Sequence, residues 1–562
     1  MPSRPVAFVT APTRAAVLGA GVRLVGPLEA VLRAVLDLEA REHPRWVCWS
    51  AARDLAPVAA TGAVLARAWD LAEAHRLLHG GWDAGPGACW AGAHGIPVVD
   101  VPPPPSGDLF DAAAGSEADG DDGLVRPDGH LRPDAGGPER LAGDAALLAW
   151  AGAALETGEL QAAQAAAAGA RVVATVHAES AAALLCLELE RDGLPVDRPT
   201  LERLVTEAAG PRPRGDAEAL EARRSRDATV LRHVPGREST DLRNPADVRA
   251  MLAAVGVDVP STRKHVLERY RGVHPVVEAL LAWRRAERVA TTYGHRWLDT
   301  SVGPDDRLRG RWTACDGAGG RMTADSGLHN LPAALRPGIA AAPGHVLVRA
   351  DLGQVEPRVL AVVSGDPALA GASAQADLYA PVAARLGVER AVAKVAVLAA
   401  MYGQRSGAAG EALRGLEHAY PVAMAYLDDA YAAGVRGEPV RTFGGRVVLT
   451  GRVLGGHPPG LDPALDAARG RFARNAVVQG AAAELFKAWA ATVRATTRPV
   501  GAEVVLCLHD ELLVHTPQER AEEVSVLVDR ALGDAARRWS GGGPVRFVAD
   551  TSVVHRWSDA KA

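Results

Sequence analysis

The stretch HVLVRADLGQVEPR, residues 345–358, constrains this chain more than any other. Its apolar run, Val346-Leu347-Val348, reads as a buried strand that ends on Asp351. Gly353 permits a sharp turn. Residues 354–358 then open a helix, with Pro357 tolerated in its first turn. A carboxylate at a strand end, beside a turn with free backbone carbonyls, can seat a hard cation such as Mg²⁺. Strand-end aspartates are also common in ordinary α/β folds, so this stretch sets a local fold before it sets a function.

At 562 residues the chain exceeds a single core, and two to four domains are expected. An apolar share of 48% with 23% charged residues is that of a globular protein. No uninterrupted apolar run nears the roughly 20 residues that span a bilayer. The opening residues lack the apolar core of a secretion signal. The five cysteines (Cys48, Cys89, Cys186, Cys315 and Cys507) are scattered and form no CxxC or Cys/His cluster, so neither zinc nor a disulfide framework is expected. These features predict a protein of the reducing cytoplasm with no membrane partner.

The net charge of −5 announces no nucleic-acid partner globally. Locally, residues 262–311 carry eleven basic and six acidic side chains, a balance shared by phosphate-binding surfaces and by solvated helix faces. Only Lys264, Lys394, Lys487 and Lys561 are lysines among 62 Lys and Arg, which suggests a GC-rich coding sequence. A lysine kept under that bias is a candidate for one needed as lysine.

Residues 1–100 read as a small α/β domain, with strands at 6–9 and 46–49 alternating with helices at 28–42 and 71–78. Its only Asp-x-Glu spacing, Asp37-Leu38-Glu39, sits in a helical pattern and reads as a solvated face, so no metal-dependent nuclease chemistry is visible. Residues 101–145 form a Pro/Gly/Asp-rich linker, with four prolines at 102–105 and a mobile acidic run at 117–122. An Ala-rich helical region covers 146–310, with helices at 179–192, 199–207, 216–230, 245–255 and 274–293.

Residues 317–324 are a Gly-rich loop containing Arg321 and leading to Leu328-His329-Asn330; it lacks the P-loop pattern. In ERAVAKVAVLAAMYG (389–403), Arg390, Lys394, Leu398 and Tyr402 recur at steps of four and share one helical stripe. Such a stripe suits a triphosphate at one end and a base at the other, or a plain amphipathic helix with two solvated cations. A later helix, from about 467, carries Arg471, Asn475 and Gln479 at the same spacing, either as a polar binding face or as a surface stripe. Near the end, 504–508 and 512–515 read as a hairpin with His509-Asp510-Glu511 at its tip. Two carboxylates about 4 Å apart would repel by roughly 4 kcal/mol at an effective dielectric near 20. A cation between them removes that penalty.

In this order, the motifs resemble the polymerase region of family A DNA polymerases, the bacterial polymerase I type. DLGQVEPR resembles that family's first palm motif, RAVAKVAVLAAMYG its nucleotide-binding finger helix, and LHDE its last palm motif. GGRMTADSGLHNLP and RNAVVQGAAAE resemble its connecting segments. The likeness runs from about residue 179 to the C-terminus. With its short N-terminal domain, the layout is similar to the stand-alone bifunctional exonuclease/polymerase group of actinobacteria.

The resemblance implies an α+β multidomain right hand with a degenerate exonuclease-like α/β domain at 1–100. Helical thumb is expected at 146–310, palm at 311–363 and 471–562, and fingers at 364–470. It implies nucleotidyl transfer to a primer 3′-hydroxyl by two Mg²⁺ ions bridged by Asp351 and Asp510, with the Leu352 carbonyl as a further ligand and Glu511 in support. Arg390 and Lys394 would hold the triphosphate, with Gln354 and Tyr379 nearby. Tyr402 would stack near the templating base, Leu398 would pack the sugar, and Glu356 would exclude a 2′-hydroxyl. Arg321, Asn330, Arg471, Asn475, Gln479 and His509 would contact DNA. Primer-template DNA and dNTPs are the expected partners of a monomeric, nucleoid-associated enzyme that does not proofread.

Three departures stand out. Leu398 replaces a usual Phe or Tyr, Tyr379 replaces a usual His, and the loop between Pro332 and Arg336 lacks a common arginine. Active but slow synthesis is the expectation. The alternatives are a nucleic-acid-binding protein of polymerase fold without catalysis, and an RNA-synthesising relative, against which Glu356 argues.

Overall fold

Short apolar runs near the N-terminus become a five-stranded sheet of β1 (Pro5–Thr10), β2 (Arg14–Gly19), β3 (Val22–Pro27), β4 (Arg45–Cys48) and β5 (Ala68–Asp70). Its order is β3-β2-β1-β4-β5. β1, β2 and β3 form an antiparallel meander, and β4 and β5 add in parallel. A parallel neighbour needs a crossover, which the Leu28–Glu42 helix supplies between β3 and β4. The computed structural model describes residues 4–97, 101, 123–403, 409–451 and 457–561.

By contact, the chain forms two units. The first comprises Met1–Asp192, Arg311–Thr323 and Val348–Val553; the second comprises Gly193–Gly310, Ala324–Leu347 and Val554–Ala562. The expected boundaries at 100 and 146 therefore do not separate compact bodies. The helices Asp144–Ala168 and Ala170–Asp192 share one apolar core with the N-terminal sheet. Trp150 stacks on Trp49 with ring centroids 4.4 Å apart. The expected linker is also partly ordered structure: from residue 123 it carries a Val125–Leu131 bridge and buries His130, Leu131 and Leu141. The prolines at 102–105 and the acidic run at 117–122 lie outside the described residues.

The Ala170–Asp192 helix is long and apolar enough to cross a membrane, with a mean hydropathy of 1.5, contrary to the expectation from uninterrupted apolar runs. Its window is 72% buried, against the Pro463–Thr497 helix and the Trp312–Asp316 strand, which marks it as a core helix. Within that packing Glu179 accepts from Lys487 Nζ at 2.5 Å and pairs with Arg446 Nη2 at 2.8 Å. Burial disfavours the Glu179 carboxylate, but Arg446 and Lys487 outweigh it and hold its pKa low. Arg494 adds a bidentate pair to Glu188 at 2.6 and 2.9 Å.

A second sheet contains β6 (His345–Leu352), β7 (Glu503–Cys507), β8 (Glu511–Pro517) and β9 (Ala549–Val554), in the order β7-β8-β6-β9. Beside it a helical layer, including Tyr379–Leu386, Arg390–Met401 and Pro421–Val435, shares a core with the Pro463–Thr497 helix. That last helix starts four residues earlier than expected from about 467, because Asp462 caps it by accepting from Ala464 N and Leu465 N.

The second unit's main helices are Arg198–Ala209, Asp216–Leu231, Pro245–Ala254, Pro275–Thr292 and His295–Ser301. Asp197 and Asn244 cap the first and third, each followed by a proline in the first turn. Part of the basic excess at 262–311 is matched inside that segment, by Lys264–Glu268, Arg271–Glu278 and Arg309–Asp305. All five cysteines are buried and free.

Carboxylates that sequence inspection passed over sit inside the N-terminal sheet layer. Asp54, fully buried, accepts from Thr10 N at 3.2 Å and Trp49 N at 3.0 Å. Asp70 accepts from Ala51 N at 2.7 Å and Glu73 N at 3.0 Å. Of the Asp37/Glu39 pair only Asp37 faces solvent; Glu39 is buried and accepts from Trp46 Nε1 at 2.7 Å, which corrects the solvated-face reading.

Burial pushes the Asp54 carboxyl up to about 6, despite the opposing Arg53 and the amide donors. The folded state therefore takes up this proton more readily than the unfolded chain. The contribution to stability is full below the ordinary value of 3.8 and is lost as pH rises through about 6. A shift of that size is worth about 3 kcal/mol. The stability of wild type relative to Asp54→Asn should rise by about that much between pH 7.5 and 4, measured by denaturant unfolding; a difference that stays flat would exclude it.

Candidate active site

β6 delivers Asp351 to its C-terminal end, and there the Leu352 N–H donates to the Asp510 carbonyl at 2.7 Å. That bond seats the tip of the β7–β8 hairpin against the end of β6. The hairpin is closed by Leu508 N donating to the Glu511 carbonyl at 2.8 Å, which leaves His509 and Asp510 as its two turn residues. A register shift between Val504 and Leu506 marks a bulge in β7. Asp351 and Asp510, far apart in sequence, are thus brought together.

Arg349 lies beneath them, with its side chain 1% exposed. Its Nε donates to Glu511 Oε1 at 2.6 Å, Nη1 to Asp550 Oδ2 at 3.2 Å, and Nη2 to Asp351 Oδ2. Burial opposes its charge, but Glu511, Asp351 and Asp550 more than compensate, so its pKa rises. Glu511 is itself buried and faces this guanidinium. No sequence motif singled out Arg349, although a charge inside the apolar run of β6 was a visible anomaly.

The turn after β6 differs from expectation. The left-handed residue is Gln354, at φ 55°, rather than Gly353. The Gln354 side chain offsets the strain: Nε2 donates to Asp377 Oδ1 at 2.7 Å and Oε1 accepts from Leu378 N at 2.8 Å. Gly353 instead approaches Val548 closely: its N–H donates to the Val548 carbonyl at 2.9 Å, and a Cβ there would lie 3.2 Å from Val548 Cγ2. Arg358, on the following Val355–Ser364 helix, is fully buried without an ion pair among the described residues. It donates to the carbonyls of Gly353, Ser373, Gln375, Ala376 and Arg546 at 2.5–3.2 Å.

A cavity of about 420 Å³ opens in front of the paired strand ends. Its walls include Asp510, Leu352, His509, Arg321, Gln354, Glu356, Tyr379, Lys394, Leu398, Tyr402 and Gln479. Glu356 Oε2 accepts from the Tyr402 hydroxyl at 2.9 Å, and Arg321 Nη2 lies 3.5 Å from its Oε1. Lys394 is exposed. Burial, with Glu356 second, pushes the Tyr379 phenol up to about 12. Burial and Arg321 lower His509, which favours its neutral form. Behind the Gly-rich loop, a Cβ at Gly320 would lie 2.5 Å from the buried Arg446 guanidinium, so the loop packs directly on the Glu179 ion pair.

Other expected residues stand apart. Arg390 does not line the cavity; it makes a two-point contact with Asp377, at 2.6 and 3.2 Å, an acceptor that sequence inspection missed. Arg471 is exposed beside Gly403. Asn475 is half-buried, with Oδ1 lacking a hydrogen-bond partner among the described residues. Asn330 belongs to the second unit, where its carbonyl accepts from Arg288 Nη2 and the Tyr293 hydroxyl, each at 2.8 Å.

This fold has solved counterparts. The polymerase domain of Pol1 from M. smegmatis, solved in complex with DNA primer-template and dNTP, superposes with a TM-score of 0.71 at 20% identity, covering 100% of this chain and 96% of that one. The architecture is therefore that of a polymerase domain. The model for DNA polymerase family A matches residues 252–559, more than half of the chain, and the chain belongs to that family. Relatives include the thermostable DNA polymerase I of Thermus filiformis, 30% identical over an alignment of 331 residues that covers 54% of this chain and 38% of that protein. DNA polymerase I of Chloroflexus aurantiacus is 30% identical over an alignment of 308 residues that covers 49% of this chain and 32% of that protein. The match thus spans about a third of these relatives' length.

Replacing Arg358 by Met removes five hydrogen bonds to carbonyls, one of them fully buried and four partly so. Each lost bond costs about 1 kcal/mol or more. A destabilisation of about 3 kcal/mol or more is expected in denaturant unfolding, and a change under 1 kcal/mol would contradict this role.

Proposed function

We propose that the chain is a template-directed DNA polymerase, adding deoxynucleotides to a primer 3′-hydroxyl. The observation that carries this reading is the cavity itself, where the paired ends of β6 and the β7–β8 hairpin face Lys394 on the Arg390–Met401 helix. Carboxylates opposite a cation suit a triphosphate whose charge is shared between bound metal and side chain. The names of the relatives, and the DNA and dNTP held by the structural neighbour, support the same reading.

Members of this family generally work with divalent metal ions. Among the described residues no three His, Cys, Asp or Glu side chains converge to hold a metal unaided. Two aspartates and the Leu352 carbonyl nevertheless fit Mg²⁺, which commonly takes one or two carboxylates and fills its other positions with water and substrate phosphates. Bound there, two Mg²⁺ ions would stabilise the attacking and leaving oxygens of the displacement.

The chain's own residues bind and orient. Lys394 holds the outer phosphates, and Arg390 joins it after exchanging Asp377 for phosphate. Gln354 and Tyr379 line the same end of the cavity, and Leu398 and Glu356 bound the sugar. Tyr402 and Gln479 contact the new base pair, with Arg321 and His509 on the primer and Arg471 and Asn475 on the DNA beyond. Glu511 acts from behind through Arg349. We assign no proofreading to the N-terminal layer, because Asp54 and Asp70 are turned onto backbone amides and Glu39 onto Trp46. A monomer in the cytoplasm completes the reading.

Purified protein with Mg²⁺ and dNTPs should extend a primed template, and Asp510→Asn should slow extension on the order of 100-fold or more while leaving DNA binding intact. Failure of wild type to extend, where a polymerase I control succeeds, overturns the proposal and leaves nucleic-acid binding without catalysis. Glu356→Ala should raise ribonucleotide use relative to deoxyribonucleotide use by roughly tenfold, since one steric clash is worth about that much discrimination; single-nucleotide insertion with dNTP against NTP measures it.

A further inference from the structure

Arg349 is the one buried cation in direct contact with a proposed metal ligand among the described residues, and the reading above gives it no step of its own. Its three nitrogens reach three carboxylates on three strands: Asp351 on β6, Glu511 on β8 and Asp550 on β9. The planar fork of an arginine can do this; a lysine ammonium cannot satisfy the same directions. Without it, Asp351 and Glu511 would be like charges in a site with little water.

We propose that Arg349 is a positioning residue that serves as a resident cation of the acid cluster, holding Asp351 and Glu511 in place before any metal arrives. This inference rests on reading the cavity as a divalent-metal site. A metal at Asp351 must share that carboxylate with a guanidinium already bound to it, and it meets a cluster whose negative charge is partly cancelled. Two consequences follow from charge alone. The metal-free protein keeps its acid cluster ordered and stable, and metal binding in the absence of nucleotide is weak. Productive loading then depends on the phosphates that a nucleotide brings. Asp550, exposed at 79% of its side chain, takes the outward arm of the fork.

The test is Mn²⁺ binding to the full chain without DNA or nucleotide, counted by electron paramagnetic resonance; the signal of this site is the part lost in Asp510→Asn. Arg349→Met should tighten Mn²⁺ binding at that site by roughly tenfold, because a unit positive charge has left its immediate surroundings. The same variant should melt at a lower temperature without metal and recover more of that loss with Mn²⁺ than wild type gains. Arg349→Lys keeps the charge but loses the fork; it should lower the metal-free melting temperature while tightening Mn²⁺ by less than Arg349→Met. If Arg349→Met proves too unstable to purify, the Lys variant carries the test alone through the fork, and a metal-free melting temperature equal to wild type in it overturns the proposal. Equal affinity in Arg349→Met overturns it as well. Neither readout uses synthesis, so a wild type that binds Mn²⁺ but extends no primer would refute the polymerase reading and leave this one standing.

Discussion

The bond from the Leu352 amide to the Asp510 carbonyl joins the end of a central strand to the tip of a hairpin formed much later in the chain. Everything proposed for the cavity depends on that junction, because neither aspartate can share a ligand unless the two backbones meet. A backbone bond suits the task. It holds two strand ends in register through main-chain atoms alone, so the junction itself uses neither carboxylate. The β7–β8 pairing and its bulge set the height of the tip, and the apolar burial of β6 sets the strand it meets.

Around this junction the protein relies on buried charge. Glu179 with Lys487 and Arg446, Glu188 with Arg494, and Arg349 with Glu511 all lie in low-dielectric surroundings. Such groups add little net stability compared with apolar packing, yet removing one partner is costly, so they favour one arrangement over its neighbours. Here they tie the Ala170–Asp192 and Pro463–Thr497 helices together and support the Gly-rich loop through Gly320. Arg358 does the same for the turn after β6, with carbonyl oxygens in place of carboxylates.

Much of the site was readable from spacing. Lys394, Leu398 and Tyr402 do share a wall, because residues four apart fall on one helical face, and Gln479 meets them from a second helix with the same spacing logic. Arg390 obeys the same periodicity and still leaves the wall, because Asp377 lies within reach and periodicity carries no information about partners on another segment. The scarcity of lysine was a useful signal: Lys394 faces the cavity and Lys487 is a buried ion-pair partner. The left-handed residue at Gln354 was not readable, since glycine is the ordinary choice and Gly353 stood next to it.

By itself the sequence determined the local elements, the apolar strand ending in Asp351, the stripes at steps of four, the hairpin carrying His509-Asp510-Glu511, and through the order of those motifs the family. Those are properties of near neighbours along the chain, where backbone geometry and side-chain period leave few choices. Only the tertiary structure decided that the helices between residues 144 and 192 belong with the N-terminal sheet, that Asp54 and Asp70 point inward, and that Arg349 grips three acids. Each of these is a choice of partner across long sequence separation, settled by which buried polar group has no water left to turn to.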